Sequence, residues 1–166
     1  IYTGLGVCAW EEGNYQQARE FYEQALQACR EAKHPVAEAD ILENIALLDW
    51  KTGRLDEALK RFRLGFRQWA KTQDIYRQAE SLMHIGIITE ALGHYARAQK
   101  HYSEALQLAK SVKYVYLESH IHVNLANLAL NQRKWQDAEK HSRAALEIAE
   151  GMKDQRAKSI AYENLA

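Results

Sequence analysis

The sequence is poor in the residues that interrupt regular structure or cross-link a chain. Its 166 residues contain one proline, Pro35, and eight glycines, which argues against a loop-rich or all-β protein. The only two cysteines, Cys8 and Cys29, are too few for a disulfide scaffold, and we expect both to be reduced. What remains is a composition that favours helices.

An excess of charge and long hydrophobic runs are also missing. The chain has 22 basic residues (Lys and Arg together) and 22 acidic residues (Asp and Glu together), so its formal net charge is zero. This charge indicates neither nucleic acid nor an anionic membrane as a partner. No apolar run approaches the ~20 residues of a membrane span. With 47% hydrophobic residues the chain can build a core, and we expect a cytoplasmic protein.

A seven-residue stretch recurs with a period of 40. It is Leu92 to Ala98 in one copy, and its counterparts occupy 12–18, 52–58 and 132–138. Each copy ends in an alanine, at Ala18, Ala58, Ala98 and Ala138. Self-similarity at a fixed period in this range indicates a solenoid, in which each unit buries its apolar face against its neighbours.

Each copy of the stretch pairs a helix end with a helix start. Gly13, Gly53 and Gly93 fit the left-handed position just past a helix C-terminus. Arg133 in the fourth copy would carry strain of about 1–2 kcal/mol there, so we expect either a relaxed turn or a compensating interaction. Pro35 suits a first helical position, and Asp74 and Asp154 suit N-caps. The predicted helices span 1–12, 15–32, 36–51, 55–72, 76–91, 95–112, 116–131, 135–152 and 156–166.

The repeat resembles the tetratricopeptide repeat, whose signature pairs W-x2-L-G-x2-Y with A-x3-F. The first half is seen in Tyr2-x2-Leu5-Gly6 and Leu82-x2-Ile85-Gly86, and the second in Ala18-x3-Tyr22, Ala58-x3-Phe62 and Ala98-x3-Tyr102. The 40-residue period is similar to that of kinesin light chain, spindle-orientation adaptors and bacterial signalling regulators. The resemblance implies an all-α, right-handed superhelical solenoid of antiparallel helix pairs. We expect one domain over 1–166, a segment of a longer chain, with repeats near 1–35, 36–75, 76–115, 116–155 and a partial 156–166.

The resemblance also implies that the first helix of each pair lines a concave groove. Leu42, Ile45, Ala46 and Asp49 are predicted to pack on the partner helix, and the opposite stripe, with its equivalents in the other copies, then faces the groove. Val7 belongs to that stripe. The candidate peptide-binding residues are Trp10, Glu43, Asn44, Leu47, Trp50, Met83, His84, Ile87, Asn124, Asn127 and Asn164.

Within this stripe, amides and tryptophans carry the prediction of function. Asn44, Asn124 and Asn164 share one phase, with His84 in the third copy, and resemble the asparagine ladder with which related scaffolds hold a peptide backbone. The alternative is that each amide ties adjacent helices together. Trp10 and Trp50 could anchor a ligand side chain or pack at the groove edge. Trp69 and Trp135 lie on second helices and are predicted to be core residues.

The charged residues of the groove indicate which kind of partner it favours. Glu43, Glu80 and Glu90 outnumber Lys51 in the groove, which disfavours a C-terminal carboxylate as ligand and favours a segment carrying Lys or Arg. The basic run at 60–67 is interpreted as a solvated helix face, with Lys60 and Arg61 one turn after Asp56 and Glu57.

Other classes of site are not indicated. His120 and His122 are two residues apart and therefore on different helix faces, and no zinc-binding or catalytic motif is present, so we expect no metal, no cofactor and no enzyme activity. The favoured function is a protein- or peptide-binding scaffold. Two alternatives stay open: a ligand- or peptide-sensing regulatory domain, and a structural spacer that self-associates end to end through residues such as Ile160, Tyr162 and Leu165.

Overall fold

The computed structural model describes residues 1–152, 159–160 and 162–163, and every regular element among them is helical. Up to residue 152 the described chain forms eight helices: α1 (Tyr2–Glu11), α2 (Tyr15–Glu31), α3 (Pro35–Lys51), α4 (Leu55–Thr72), α5 (Ile75–Ala91), α6 (Tyr95–Ser111), α7 (Val115–Asn131) and α8 (Trp135–Met152). Each agrees with its predicted counterpart to within one residue at either end. The predicted ninth helix lies largely outside the described residues, as do Asp154, Asn164 and Leu165.

The chain forms two compact units, residues 1–77 and 78–166. In the first unit α1 packs on α2, α2 on α3, and α3 on α4. In the second unit α6 packs on α7 and α7 on α8. Short turns join consecutive helices, so neighbours run antiparallel, as in helical-repeat proteins. The prediction of an all-α array of antiparallel helix pairs is confirmed, while the prediction of a single domain stays a prediction.

The turn glycines have the backbone that the sequence predicts. Gly13, Gly53 and Gly93 have φ values of 78°, 79° and 79°. At the first of these turns the Asn14 amide donates to the Ala9 carbonyl at 2.8 Å and the Gly13 amide to Trp10 at 2.9 Å. This is the Schellman arrangement, which satisfies the last carbonyls of a helix and reverses the chain.

Arg133 keeps this geometry with φ of 58°, so the fourth copy does not relax its turn. Its amide donates to Leu130 and the Lys134 amide to Ala129, both at 2.9 Å, which repeats the hydrogen bonds of the glycine turns. Three further left-handed residues lie after second helices or at their ends, again 40 apart, and the sequence analysis did not foresee them: Lys33, Gln73 and Lys113. The hydrogen bonds of these turns hold side-chain-bearing residues in a conformation that favours glycine.

The core of each pair forms where the recurring alanine meets the first helix. Ala18, Ala58, Ala98 and Ala138 are all buried, and a ring or small side chain follows one turn later at Tyr22, Phe62, Tyr102 and Ser142, also buried. Gly6 and Gly86 make room for two of these rings. A Cβ added at either would lie 2.5 to 2.6 Å from the nearest ring atom of Tyr22 or Tyr102, far inside contact distance. Close helix approach therefore depends on a small residue opposite each large one.

A buried carboxylate fixes the first unit. Asp49 of α3 is fully buried, as predicted for its stripe, together with Leu42, Ile45 and Ala46. It binds Arg19 of α2, Arg54 of the turn at 2.9 Å and Arg61 of α4. Burying a charge is costly unless it is paired, so these three arginines are needed for α3 to pack in this position.

Several smaller predictions can be compared with the structure. Trp69 is buried, as predicted, but Trp135 is 64% exposed and the prediction that it is a core residue is wrong. Trp135 is the first residue of α8 and precedes its first buried residue, Ala138. Lys60 pairs with Glu57 at 2.8 Å, which agrees with a solvated basic face, and Cys8 and Cys29 are free thiols.

Substituting the alanine at the helix crossing tests the phase of the repeat. Ala98 is fully buried and Ala96 is exposed on the same helix. Ala98→Leu is expected to lower the free energy of unfolding by roughly 1–3 kcal/mol through overpacking, while Ala96→Leu leaves it nearly unchanged. Urea denaturation of the two variants measures the difference, and equal effects would mean that the assigned faces are wrong.

Relieving the left-handed arginine tests whether the turn is strained. Arg133→Gly is expected to raise the free energy of unfolding by up to about 1 kcal/mol, because glycine avoids the Cβ clash of that conformation but loses more chain entropy on folding. Arg133→Ala is the matched control, since it removes the same side chain and keeps Cβ. A glycine variant no more stable than the alanine variant would contradict the strain.

Candidate functional site

A pocket opens in the first unit where three helices meet. Its volume is about 310 Å³ and its lining residues are Val7, Trp10 and Glu11 of α1, Tyr22 of α2, and Asn44 and Leu47 of α3. Four of these, Val7, Trp10, Asn44 and Leu47, belong to the stripe predicted from the sequence. The structure thus brings predicted residues from two first helices to one cavity.

Tyr22 forms a wall of this pocket because Gly6 lets its ring approach α1. The side chain is only 3% exposed, and burial raises the pKa of its hydroxyl. Trp10 stands nearby with its ring centroid 5.5 Å from that of Tyr15, which holds the indole against the start of α2. The pocket walls are therefore built by side chains that the core itself positions.

Three polar groups of the pocket have no partner within the described part of the chain. The Tyr22 hydroxyl, the Asn44 carboxamide and the Glu11 carboxylate make no side-chain hydrogen bond or ion pair there. The equivalent hydroxyl in the second unit, on Tyr102, donates to Glu90 at 2.8 Å. Trp10 occupies the position of Glu90 in the first copy, so the Tyr22 hydroxyl, on a residue that lines the pocket, has no equivalent acceptor.

Glu43 does not line an open surface, and its assignment to the groove is wrong. It is 6% exposed, and its carboxylate accepts a hydrogen bond of 3.0 Å from the Trp69 indole. Gly65 leaves room for it, since a Cβ there would lie 3.0 Å from Glu43 Cγ. Position 43 is four residues after Ala39 and three before Ala46, both fully buried, so helical periodicity turns it inward.

The assignment of Met83 to the groove is wrong for the same reason. Met83 is equivalent to Glu43, lies between the buried residues Ala79 and Gly86 on the helix, and is itself buried. Trp50 remains at the surface with 39% exposure. Among the remaining predicted residues of the second unit, His84, Ile87, Asn124 and Asn127 are all half-buried on first helices.

The hydrogen bonds of the asparagine side chains bear on the alternative that these amides tie adjacent helices together. Neither Asn124 nor Asn127 makes a side-chain hydrogen bond to a residue that the structure describes, and the same holds for Asn44. Among the described residues, no such bond supports a role of these three amides in tying helices together. Asn131, one turn after Asn127, does make one, donating to Glu90 at 3.0 Å.

Two of the acidic residues expected to set the groove charge are hydrogen-bonded within the second unit. Glu90 accepts from Tyr102 and Asn131, and Glu80 accepts from the Tyr114 hydroxyl at 2.8 Å. Glu11 and Tyr22 were missed by the sequence analysis. Comparing Trp10 with Glu90 across the 80-residue offset could have found them, because the hydroxyl of Tyr102 has an acceptor that Tyr22 lacks.

A histidine pair lies between α7 and α8 in the second unit. The Nδ1 atoms of His122 and His141 are 3.0 Å apart. Burial, and then the neighbouring His141, Lys110 and Lys140, lower the pKa of His122 to about 4. Burial and Lys140 also lower the pKa of His141, against an opposing effect of Asp137. Both imidazoles are therefore neutral at pH 7, and one donates to the other.

The described residues include no group of three or more His, Cys, Asp or Glu side chains placed to hold a metal ion. Among the same residues, no helix combines the length and apolar character that crossing a membrane requires.

Comparison with protein families finds the tetratricopeptide repeat. One family model of this description matches residues 1–67 and 37–111, and a second matches residues 85–153. Comparison with curated proteins gives no significant match.

Solved structures with the same fold are numerous, and three are informative. BtubC (BKLC) from P. vanneervenii is 21% identical, with a TM-score of 0.88 over 99% of this chain and 68% of its own. Aspartyl phosphate phosphatase F from Bacillus subtilis is 10% identical, with a TM-score of 0.92 over 97% of this chain and 42% of its own. The Rap conjugation gene regulator of the plasmid pLS20, in complex with the Phr* peptide, is 15% identical, with a TM-score of 0.79 over 98% and 50%. The chain thus spans about half the length of the last two, and at these identities the likeness shows the fold.

Lowering the pH should destabilise the second unit through the histidine pair. The folded state keeps the pKa of His122 at about 4, whereas an unfolded histidine binds a proton near pH 6.5, so the stability is complete above pH 6.5 and is lost as the pH falls toward 4. His122→Leu, which places the residue found at Leu42 and Leu82, is expected to flatten this dependence in urea denaturation at pH 7.5, 6 and 5.

The matched control is His94→Leu, because His94 is exposed. It should leave the pH dependence of the parent unchanged. Parallel curves for the parent and His122→Leu would contradict a neutral buried pair.

Proposed function

Because this chain belongs to the tetratricopeptide repeat family, we propose that the groove face of its first helices binds an extended peptide or protein segment. The tetratricopeptide fold is generally a noncatalytic interaction scaffold, and the architecture described above agrees with that use.

One observation carries the proposal more than any other. Asn44 and Asn124, 80 residues apart on first helices, keep carboxamides without a hydrogen-bond partner among the described residues. Asparagine is a poor residue for a helix interior, so its recurrence at one phase needs a compensating reason. A carboxamide offers one acceptor and two donors, which suits it to pair with a peptide backbone.

The pocket of the first unit supplies the second element of recognition. Trp10, Val7 and Leu47 present apolar surface beside Asn44, so a segment held by its backbone could place a side chain in the cavity. In the second unit Asn124, Asn127 and the half-buried Ile87 provide the corresponding combination of amides and apolar surface.

A regulatory sensor is the second candidate, in which the bound peptide or small ligand controls another part of a longer protein. Its support is the fold likeness to a conjugation gene regulator solved with the Phr* peptide, of which this chain covers 50%. A phosphate-binding loop or a DNA-binding helix-turn-helix in flanking sequence would favour it over a simple scaffold.

Peptide selection followed by affinity measurement tests the proposed function. Displayed random peptides are selected on the protein, and the affinity of the recovered peptides is measured by fluorescence anisotropy for the parent, Asn44→Ala, Asn124→Ala and the double variant. We expect about tenfold weaker binding for a variant that loses a backbone-pairing amide, from ~1–1.5 kcal/mol per hydrogen bond.

Gln107→Ala is the matched control, because Gln107 is an exposed amide on a second helix. It should bind like the parent, and circular dichroism should show the same helical content for all variants. Recovery of no peptide, or equal affinity for every variant, would reject the groove as a peptide site.

A further inference from the structure

We propose that the pocket between α1, α2 and α3 is a subsite for an arginine side chain, with Glu11, Tyr22 and Asn44 holding its guanidinium group. This inference rests on the peptide-binding function proposed above and adds the chemical class of the side chain that the segment presents. It concerns the first unit alone.

The charge of the pocket lining has one sign. Glu11 is the only residue of the lining that is charged at neutral pH, and it has no ion pair to any described residue. Arg19, Arg54 and Arg61 of the same unit are bound to Asp49 and therefore do not neutralise it. A cation entering the pocket meets an uncompensated carboxylate, whereas an acidic side chain would be repelled.

The pocket also offers hydrogen-bond acceptors that the fold leaves unused. Tyr22 as a residue is 3% exposed. Its hydroxyl has no hydrogen-bond partner among the described residues. The carboxamide oxygen of Asn44 is likewise unpaired and lines the same cavity. Neither oxygen is among the buried atoms that lack a partner, so both are accessible at the cavity, and a ligand that donates to them finds free acceptors.

The remaining walls suit the rest of an arginine side chain. Val7 and Leu47 give an apolar surface for the methylene stem, and the Trp10 indole gives a π-face on which a guanidinium can stack. The volume of about 310 Å³ is large enough for one long side chain. Guanidinium has five donors in one plane and is weakly hydrated, which fits dispersed acceptors better than the compact, strongly hydrated ammonium of lysine.

Apolar side chains fit the same cavity less well. A leucine or phenylalanine would cover the Tyr22 hydroxyl and the Glu11 carboxylate without donating to either, and both would lose hydration uncompensated. The combination of apolar walls with three acceptors therefore selects a long side chain that ends in donors.

An NMR titration with four capped tripeptides tests the subsite directly. The probes are acetyl-Ala-X-Ala-amide with X as arginine, citrulline, lysine or leucine, where citrulline keeps the shape of arginine and removes its charge. The 15N–1H indole signals of the four tryptophans are followed, and Trp10→Phe identifies the Trp10 signal. We expect a saturable shift of that signal with the arginine probe, at least fivefold weaker binding of lysine, and no saturation with citrulline or leucine.

Two variants and one control connect the shift to the pocket. Glu11→Gln should weaken the arginine probe at least fivefold, whereas Glu12→Gln, on the neighbouring exposed residue that is not part of the lining, should leave its affinity unchanged. Tyr22→Phe keeps the ring against Gly6 and removes only the hydroxyl, and should weaken binding about threefold with unchanged stability.

The outcomes separate this inference from the proposed function. No shift with any probe, an equal shift with citrulline, or equal effects of Glu11→Gln and Glu12→Gln would overturn the arginine subsite. Lysine binding as tightly as arginine would overturn the choice of guanidinium. Selected peptides that bind through Asn44 and Asn124 but lack arginine would also reject the subsite while the peptide-binding function stands; recovery of no peptide rejects that function itself.

Discussion

The contact between a tyrosine ring on a second helix and a glycine on its first helix is the constraint on which the first and third helix pairs depend. Gly6 faces Tyr22 and Gly86 faces Tyr102 at distances that no Cβ could share. At the equivalent positions the second pair has Ala46 and Phe62 and the fourth has Ala126 and Ser142, so alanine replaces glycine where the side chain at the ring position is smaller than tyrosine. Because the ring of Tyr22 is also a wall of the pocket, the packing that stabilises the pair positions the candidate site.

Buried carboxylates are a second feature of the first unit. It buries two carboxylates, and each is satisfied in a different way: Asp49 by three arginines and Glu43 by the Trp69 indole. Arg77 approaches Glu43 at 3.8 Å and stacks over Trp69 at 5.0 Å, so the carboxylate is also partly charge-compensated. The three arginines bound to Asp49 are thus not available to Glu11, which lines the pocket without an ion pair to any described residue.

Periodicity decides how much of this could be read from the sequence. Helix limits, left-handed glycines and crossing alanines repeat every 40 residues and were predicted correctly. The inward turn of Glu43 and Met83 was missed because the face opposite the packed stripe was taken too wide, although both positions lie one turn from buried residues. The pairing of His122 with His141, and the missing acceptor of Tyr22, depend on which side chains meet across two helices. A single sequence does not contain that information unless equivalent positions are compared copy by copy.

The arrangement around Asp49 limits how the repeats can be recombined. Its arginines come from two different copies: Arg19 precedes it by 30 residues, whereas Arg54 and Arg61 follow it. The equivalent positions in the other copies hold Ala9, Thr89 and Ala129, so only the second copy needs this neighbourhood. Deleting or moving the block that contains α2, or inserting a block between α2 and α3, would separate the carboxylate from Arg19, whereas Arg54 and Arg61 lie in the same block as Asp49. The array is periodic in its backbone, but its copies are not interchangeable building blocks, and a shuffled or shortened version must carry α2 together with α3 and α4.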